Sequence, residues 1–286
     1  AGNIVRHQCF LGVGTSHSAF RSKPAMDLSP LIAWYAHLPL AILVFARVAA
    51  LFAVGPILGD SYIPTPVKAL LALAVTVILV PVAVATQPVP AVDLWFVLLL
   101  AKETMVGLSM GFFISLFVNG VRFGGELINR YAGFAAAENF DPDTSASVTP
   151  IGDVMHLLFM LLFLSTNGHH YFFAALQRSY DLVPLGGFQI TVRFQSALAS
   201  GLDEMSIIAV ALSFPVLAIV MAITAAEGVI TRAVPQINIL HVSFAVKIVV
   251  SLMVLYAGLP SAVVFLGTVL GTMQAAGYAV IGTLGG

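Results

Sequence analysis

The chain has 286 residues, of which 59% are hydrophobic and 9% charged, and its net charge is −1. With 12 basic and 13 acidic residues and a mean hydropathy of +1.01, it cannot cover the surface of a soluble domain, where about 25% of residues are charged. These values exclude a water-soluble globular enzyme, a disordered chain, which needs low hydrophobicity and high charge, and a basic nucleic-acid binder; they define an all-α polytopic membrane protein.

Residues 1–25 differ in character from the rest of the chain. They carry Arg6, Arg21, Lys23 and the single cysteine, Cys9, which excludes a disulfide framework or a cysteine metal site. Met26-Asp27-Leu28-Ser29-Pro30 stands directly before the first long apolar block. Met26 is therefore expected to be the natural initiator, with 1–25 a non-native or disordered extension; the alternative is a short cytoplasmic tail. Residues 26–286 read as one membrane domain, because no Ser/Gly linker divides them.

A spanning helix needs about 20 mostly apolar residues. The apolar blocks predict helices near 31–55, 67–85, 94–118, 154–177, 205–231 and 240–257, with a last small-residue segment at 260–284. Gly55-Pro56 ends the first, and Pro64 and Pro66 delay the second. Residues 119–153 read as the longest break, with Gly120, Gly124, Gly125 and Gly133 ahead of Glu138, Asp141, Asp143 and Asp153. Pro184-Leu185-Gly186-Gly187 marks a loop within 178–204, and Pro235 stops or kinks the sixth helix. No alternation of a membrane β-barrel occurs. Basic residues give no clear orientation. Residues 56–81 and 235–260 share a Pro-x11-Lys-x12-Pro frame with 6 identities in 26 positions, the pattern of either related hairpins or chance.

Charges inside the apolar blocks carry the most information. Arg47 lies mid-block, where a lone charge costs roughly 3 kcal/mol on insertion scales; it should face a protein partner or water. Lys102 and Glu103 point about 100° apart on a helix, so both are not expected to face one partner. Glu103 is the candidate to pair with Arg47 or Arg232. Arg122, Glu126 and Arg130 form one i, i+4, i+8 stripe, a solvated face or a polar seam. Gly107 and Gly111 make a Gly-x-x-x-Gly helix-packing pair, repeated by Gly267 and Gly271.

Catalysis needs convergent titratable groups. His169 and His170 point to different faces, His156 lies more than three turns away, and neither His-x-x-x-His nor Glu-x-x-His spacing occurs. No Gly-x-Ser-x-Gly or P-loop is present. No catalytic residue, metal site or cofactor is therefore assigned. A self-contained proton-coupled secondary transporter stays as the alternative, since intramembrane Glu and His can relay protons; against it, carboxylates at helix centres are few, mainly Glu103 and Glu227.

The ordered motifs resemble the FliR family of flagellar biosynthetic proteins, whose injectisome counterpart is the T-family export-apparatus protein of type III secretion. The resemblance covers roughly residues 31–260. It rests on Phe45-Ala46-Arg47 with Pro56, Gly59 and Pro64; on Glu103 and Gly107-Leu108-Ser109-Met110-Gly111-Phe112; on Gly125-Glu126, Gly133-Phe134 and Asp141-Pro142; on Leu164, Asn167-Gly168-His169 and Pro184; and on Arg232-Ala233-Val234-Pro235-Gln236-Ile237-Asn238 with Lys247. The Arg-x-x-Pro-Gln-x-Asn block favours the flagellar branch. Residues 126–132 are more charged than is usual in the family, Glu138 is an added carboxylate, and 1–25 have no family equivalent.

The resemblance implies a subunit of the export gate in the bacterial inner membrane at the flagellar basal body. Its partners would be FliP-like and FliQ-like subunits, other export-apparatus proteins, lipid and unfolded flagellar export substrates. Much of the apolar surface would then meet partner helices. The resemblance also implies a plug near residues 131–147, with Gly133, Phe134, Phe140, Asp141 and Pro142 as gate residues. Small residues at 133–137 suit a seal that moves aside, since Gly and Ala carry little side-chain entropy. Arg47, Glu103, Arg232 and Lys247 are expected to serve assembly.

Overall fold

The computed structural model describes residues 35, 37–56, 59, 63–87, 89, 90, 92–134, 149–233 and 239–285. Met26, Pro235, Glu138, Phe140, Asp141 and Pro142 lie outside them, as does all of 1–25. The described residues from His37 onward belong to one structural unit, and its elements are helical.

Helix α1 (Leu38–Val54) stops where Gly55 turns to extended backbone, its N–H still donating to the Leu51 carbonyl at 2.7 Å. Pro56 then prevents continuation. α2 (Thr65–Thr86) has Pro64 as its N-cap and Pro66 in its first turn, where the missing donor costs nothing. Pro81 lies inside it.

Helix α3 (Leu94–Tyr131) has 38 residues, 13 beyond the expected 94–118. Glycines that read as a break are helix-packing positions instead. A Cβ on Gly120 would meet the Met205 carbonyl oxygen at 2.9 Å, one on Gly124 the Ala209 carbonyl oxygen at 3.0 Å, and one on Gly125 the Gly152 Cα at 2.6 Å. Close backbone approach offsets the low helix propensity of glycine. α3 ends in a Schellman geometry: Gly133 has φ +94°, and the Phe134 N–H donates to the Asn129 carbonyl at 3.2 Å.

The expected helix at 154–177 is two, α4 (Pro150–Ser165) and α5 (Gly168–Leu182), bent by 70°. Asn167 supplies the break with φ 57°, a left-handed conformation that Asn tolerates. Gly168 has no room for a Cβ beside the Phe163 ring.

α6 (Val192–Ala233) starts 13 residues before the expected 205. Thr191 caps it, its Oγ1 accepting from the Phe194 N–H at 3.2 Å; the charges Arg193, Asp203 and Glu204 masked this start in the hydropathy. The two segments expected at 240–257 and 260–284 are one helix, α7 (Ile239–Leu284), with Pro260 inside it. One proline removes a single hydrogen bond, and the turns on either side carry the helix through. Both frames of the Pro-x11-Lys-x12-Pro repeat run into the second helix of a contacting pair, α1–α2 and α6–α7.

α3 is the central helix and contacts α1, α4, α6 and α7. Its buried residues Val106, Met110, Phe117 and Val121 meet Val48 and Leu51 of α1, Phe159 of α4 and Ile208 of α6 in one apolar core. Helices α3, α6 and α7, of 38, 42 and 46 residues, rise about 57, 63 and 69 Å at ~1.5 Å per residue. The hydrocarbon core of a bilayer is about 30 Å thick. Four described helices are long and apolar enough to cross a membrane, or up to five if the bent α4–α5 pair is one span.

Candidate functional site

The best-buried polar cluster centres on Arg47, which has no exposed surface. Its Nε donates to Glu103 Oε2 at 2.7 Å. Nη1 donates to Ser179 Oγ at 3.1 Å and Nη2 to the Val183 carbonyl at 3.1 Å. The guanidinium lies 4.2 Å from the Tyr180 ring centroid, a cation–π distance. The other Glu103 oxygen accepts the Gly186 N–H at 2.8 Å. Together these bonds tie α1, α3, the end of α5 and the turn after it.

The local folding of each piece follows from sequence. The turn at 184–187 closes with the Gly187 N–H donating to the Pro184 carbonyl at 2.8 Å, and Gly186 takes φ +73°, which favours glycine. Lys102 Nζ donates to the Gly186 carbonyl at 3.0 Å while Glu103 accepts from the same residue's N–H. Lys102 and Glu103 therefore do share one partner, contrary to the 100° expectation. A peptide residue presents its donor and acceptor in different directions, so two long side chains can take one each. Gly107 seats α3 on α1 directly below the clasp: a Cβ there would overlap the Arg47 carbonyl oxygen, and one on Gly111 would meet the Leu51 carbonyl oxygen at 2.9 Å.

Lys247 pairs with Glu227 at 2.9 Å, joining α6 to α7. Arg232 is exposed in the last turn of α6 and is not among the partners of Glu103. Arg122 reaches Glu126 at 3.8 Å and Asp153 at 3.5 Å on a half-exposed face. Gly267 and Gly271 face open space. Gly133 abuts Phe244, with 3.1 Å to a Cβ placed there, and Phe134 is half-buried against the core. The His169 and His170 rings, expected on different faces, lie 4.4 Å apart and tilted by 38°; no group of three metal-ligating side chains occurs among the described residues. Sequence reasoning missed Ser179, Tyr180 and the Val183 carbonyl. Nothing in their local sequence signals a role, since the α4–α5 bend is what brings them to Arg47.

This geometry defines an all-α polytopic membrane protein whose best-buried charges hold helices and a turn together. The profile described as "Bacterial export proteins, family 1" matches residues 38–273. The chain is 30% identical over 223 residues to the flagellar biosynthetic protein FliR of Bacillus subtilis (strain 168), covering 76% of this chain and 85% of that protein. Against FliR of Escherichia coli (strain K12) it is 26% identical over 227 residues, 79% and 87% of the two chains. Against FliR of Caulobacter vibrioides it is 29% identical over 217 residues, 75% and 86%. The chain belongs to this family of bacterial export proteins, the FliR family.

Proposed function

We infer that the chain is a subunit of the flagellar protein export apparatus, helping to form and close the channel through which unfolded flagellar substrates cross the inner membrane. The observation that carries this reading is the family match over 38–273, together with relatives named flagellar biosynthetic proteins. FliP-like and FliQ-like membrane subunits are its partners in this reading, and it has no catalytic step or cofactor of its own. Helices of about 57–69 Å by ~1.5 Å per residue support it, because so much helix needs protein neighbours beyond a ~30 Å hydrocarbon layer. Large apolar residues left exposed along α7, such as Val242, Met253 and Tyr256, support it as well.

Arg47 and Glu103 hold the subunit's shape, and Lys247 with Glu227 holds its last hairpin; Arg232 is left to meet a neighbour. Gly133 and Phe134 stand at the start of the proposed gate segment, while Phe140, Asp141 and Pro142 lie outside the described residues. The transporter alternative has less support: Glu103 is closed by Arg47 and the Gly186 N–H, and Glu227 by Lys247, which leaves neither acid free to relay protons.

The test is affinity purification of the full chain from its native membranes in mild detergent, with identification of the bound chains. Recovery of other export-apparatus membrane proteins, and loss of filament assembly on deletion of the gene, are expected. A chain that purifies alone and moves a small solute in vesicles overturns the reading.

A further inference from the structure

We propose that Glu204 stands at the mouth of a recess that receives a lysine or arginine side chain from a helix of a partner chain. The recess, of about 280 Å³, lies between α3, α6 and α7. Phe113 and Phe117 form its apolar floor, and Ser200, Gly201, Glu204 and Thr272 line its walls. Gly201 seats α6 closely on α3 at its edge: a Cβ there would meet the Phe113 ring at 2.8 Å and Leu116 Cδ1 at 3.0 Å.

The polar groups of this recess are acceptors. Ser200 Oγ gives its proton to the Ala197 carbonyl at 2.8 Å, and Thr272 Oγ1 gives its own to the Val269 carbonyl at 2.9 Å. Each hydroxyl oxygen keeps lone pairs and has no donor left. Glu204 is an acceptor when ionised, and the ion pairs of the described residues do not include it. A carboxylate beside two acceptor oxygens and two aromatic rings calls for a cation with several N–H donors, which is the chemistry of an ammonium or guanidinium. A recess of about 280 Å³ has room for one long side chain.

The approach to the recess favours a helix as the carrier. Gly267, Gly271 and Ala275 follow at i, i+4 and i+8 on α7, all exposed, and Ala275 lines the recess itself. Nothing lies within 4 Å of a Cβ placed at Gly267 or Gly271. Such a small-residue seam lets a second backbone come close, and it ends at the acceptor-lined recess.

The inference rests on the proposed function only in taking the partner to be another export-apparatus chain. The experiment co-purifies the full-length chain with its native apparatus in mild detergent, comparing wild type with Glu204→Gln, Glu204→Asp, Thr272→Val and Gly271→Leu. Glu204→Gln should lower recovery of at least one partner by roughly tenfold or more, the loss of one charge-assisted contact at about 1.4 kcal/mol per decade. Glu204→Asp should retain most of it, Thr272→Val should lose an intermediate share, and Gly271→Leu should block the same partner. Membrane levels of the chain should not change. Equal recovery with Glu204→Gln overturns the inference while leaving the export reading intact. A change limited to the phosphatidylethanolamine retained with the complex also overturns it, since a lipid amine is then the occupant. Failure of the wild type to recover any partner overturns both readings.

Discussion

Replacing Arg47 with alanine removes a guanidinium bonded to Glu103, Ser179 Oγ and the Val183 carbonyl. It leaves the Glu103 carboxylate buried with the Gly186 N–H as its remaining hydrogen bond. Breaking one side of a buried ion pair costs about 3–5 kcal/mol. For a chain of this size, about 2–4 °C of melting temperature accompanies each kcal/mol, so Arg47→Ala should lower the thermal midpoint by roughly 6–20 °C. Glu103→Ala should do nearly the same, because each single change leaves the other charge stranded. The double variant Arg47→Met/Glu103→Leu should recover much of the loss, since apolar side chains of similar volume replace buried pairs at little cost. The assay is fluorescence-detected size exclusion of the detergent-solubilised chain after a temperature series, run as a double-mutant cycle. Single variants that melt within about 2 °C of wild type, or losses that simply add in the double variant, refute the claim that the clasp holds the fold.

Gly107→Ala forces a methyl into the Arg47 carbonyl and should cost about 1–3 kcal/mol or more, whereas Gly267→Ala meets nothing and should leave the isolated chain as stable or gain up to ~1 kcal/mol of helix propensity; the same thermal series reads both. Gly133→Ala, at φ +94°, should destabilise the end of α3 by about 1–2 kcal/mol, with Gly133→Asn milder; hydrogen exchange at residues 128–134 reports it. Lys247→Met should loosen the α6–α7 hairpin by about 1.5–3 kcal/mol, the worth of a charge-assisted bond, seen as faster exchange near Glu227 while the Arg47 clasp stays protected.

Several features were legible from residues alone because they depend on composition or local chemistry. The scarcity of charge required helices satisfied within themselves. Gly55-Pro56 ended α1, and Pro184-Leu185-Gly186-Gly187 made a turn, because φ preferences act within a few residues. The lone charge Arg47 announced that some partner must exist. Hydropathy failed at Gly120, Gly124 and Gly125, which read as a break and are seats for α6 and α4. It failed again at 192–204, where Arg193, Asp203 and Glu204 hid the first turns of α6. In both places the deciding contact is far away in sequence.

Composition alone defines the class, an all-α membrane chain with few charges. Which charges meet follows from the folded geometry. The left-handed Asn167 bends α5 so that Ser179, Tyr180 and Val183 arrive at Arg47, and the φ +73° of Gly186 aims one peptide at Lys102 and Glu103 together. Pairing of buried charges is set by distance and orientation within an ångström or so in a low-dielectric interior. No periodicity along the chain carries that information, because the partners lie 56 to 136 residues apart.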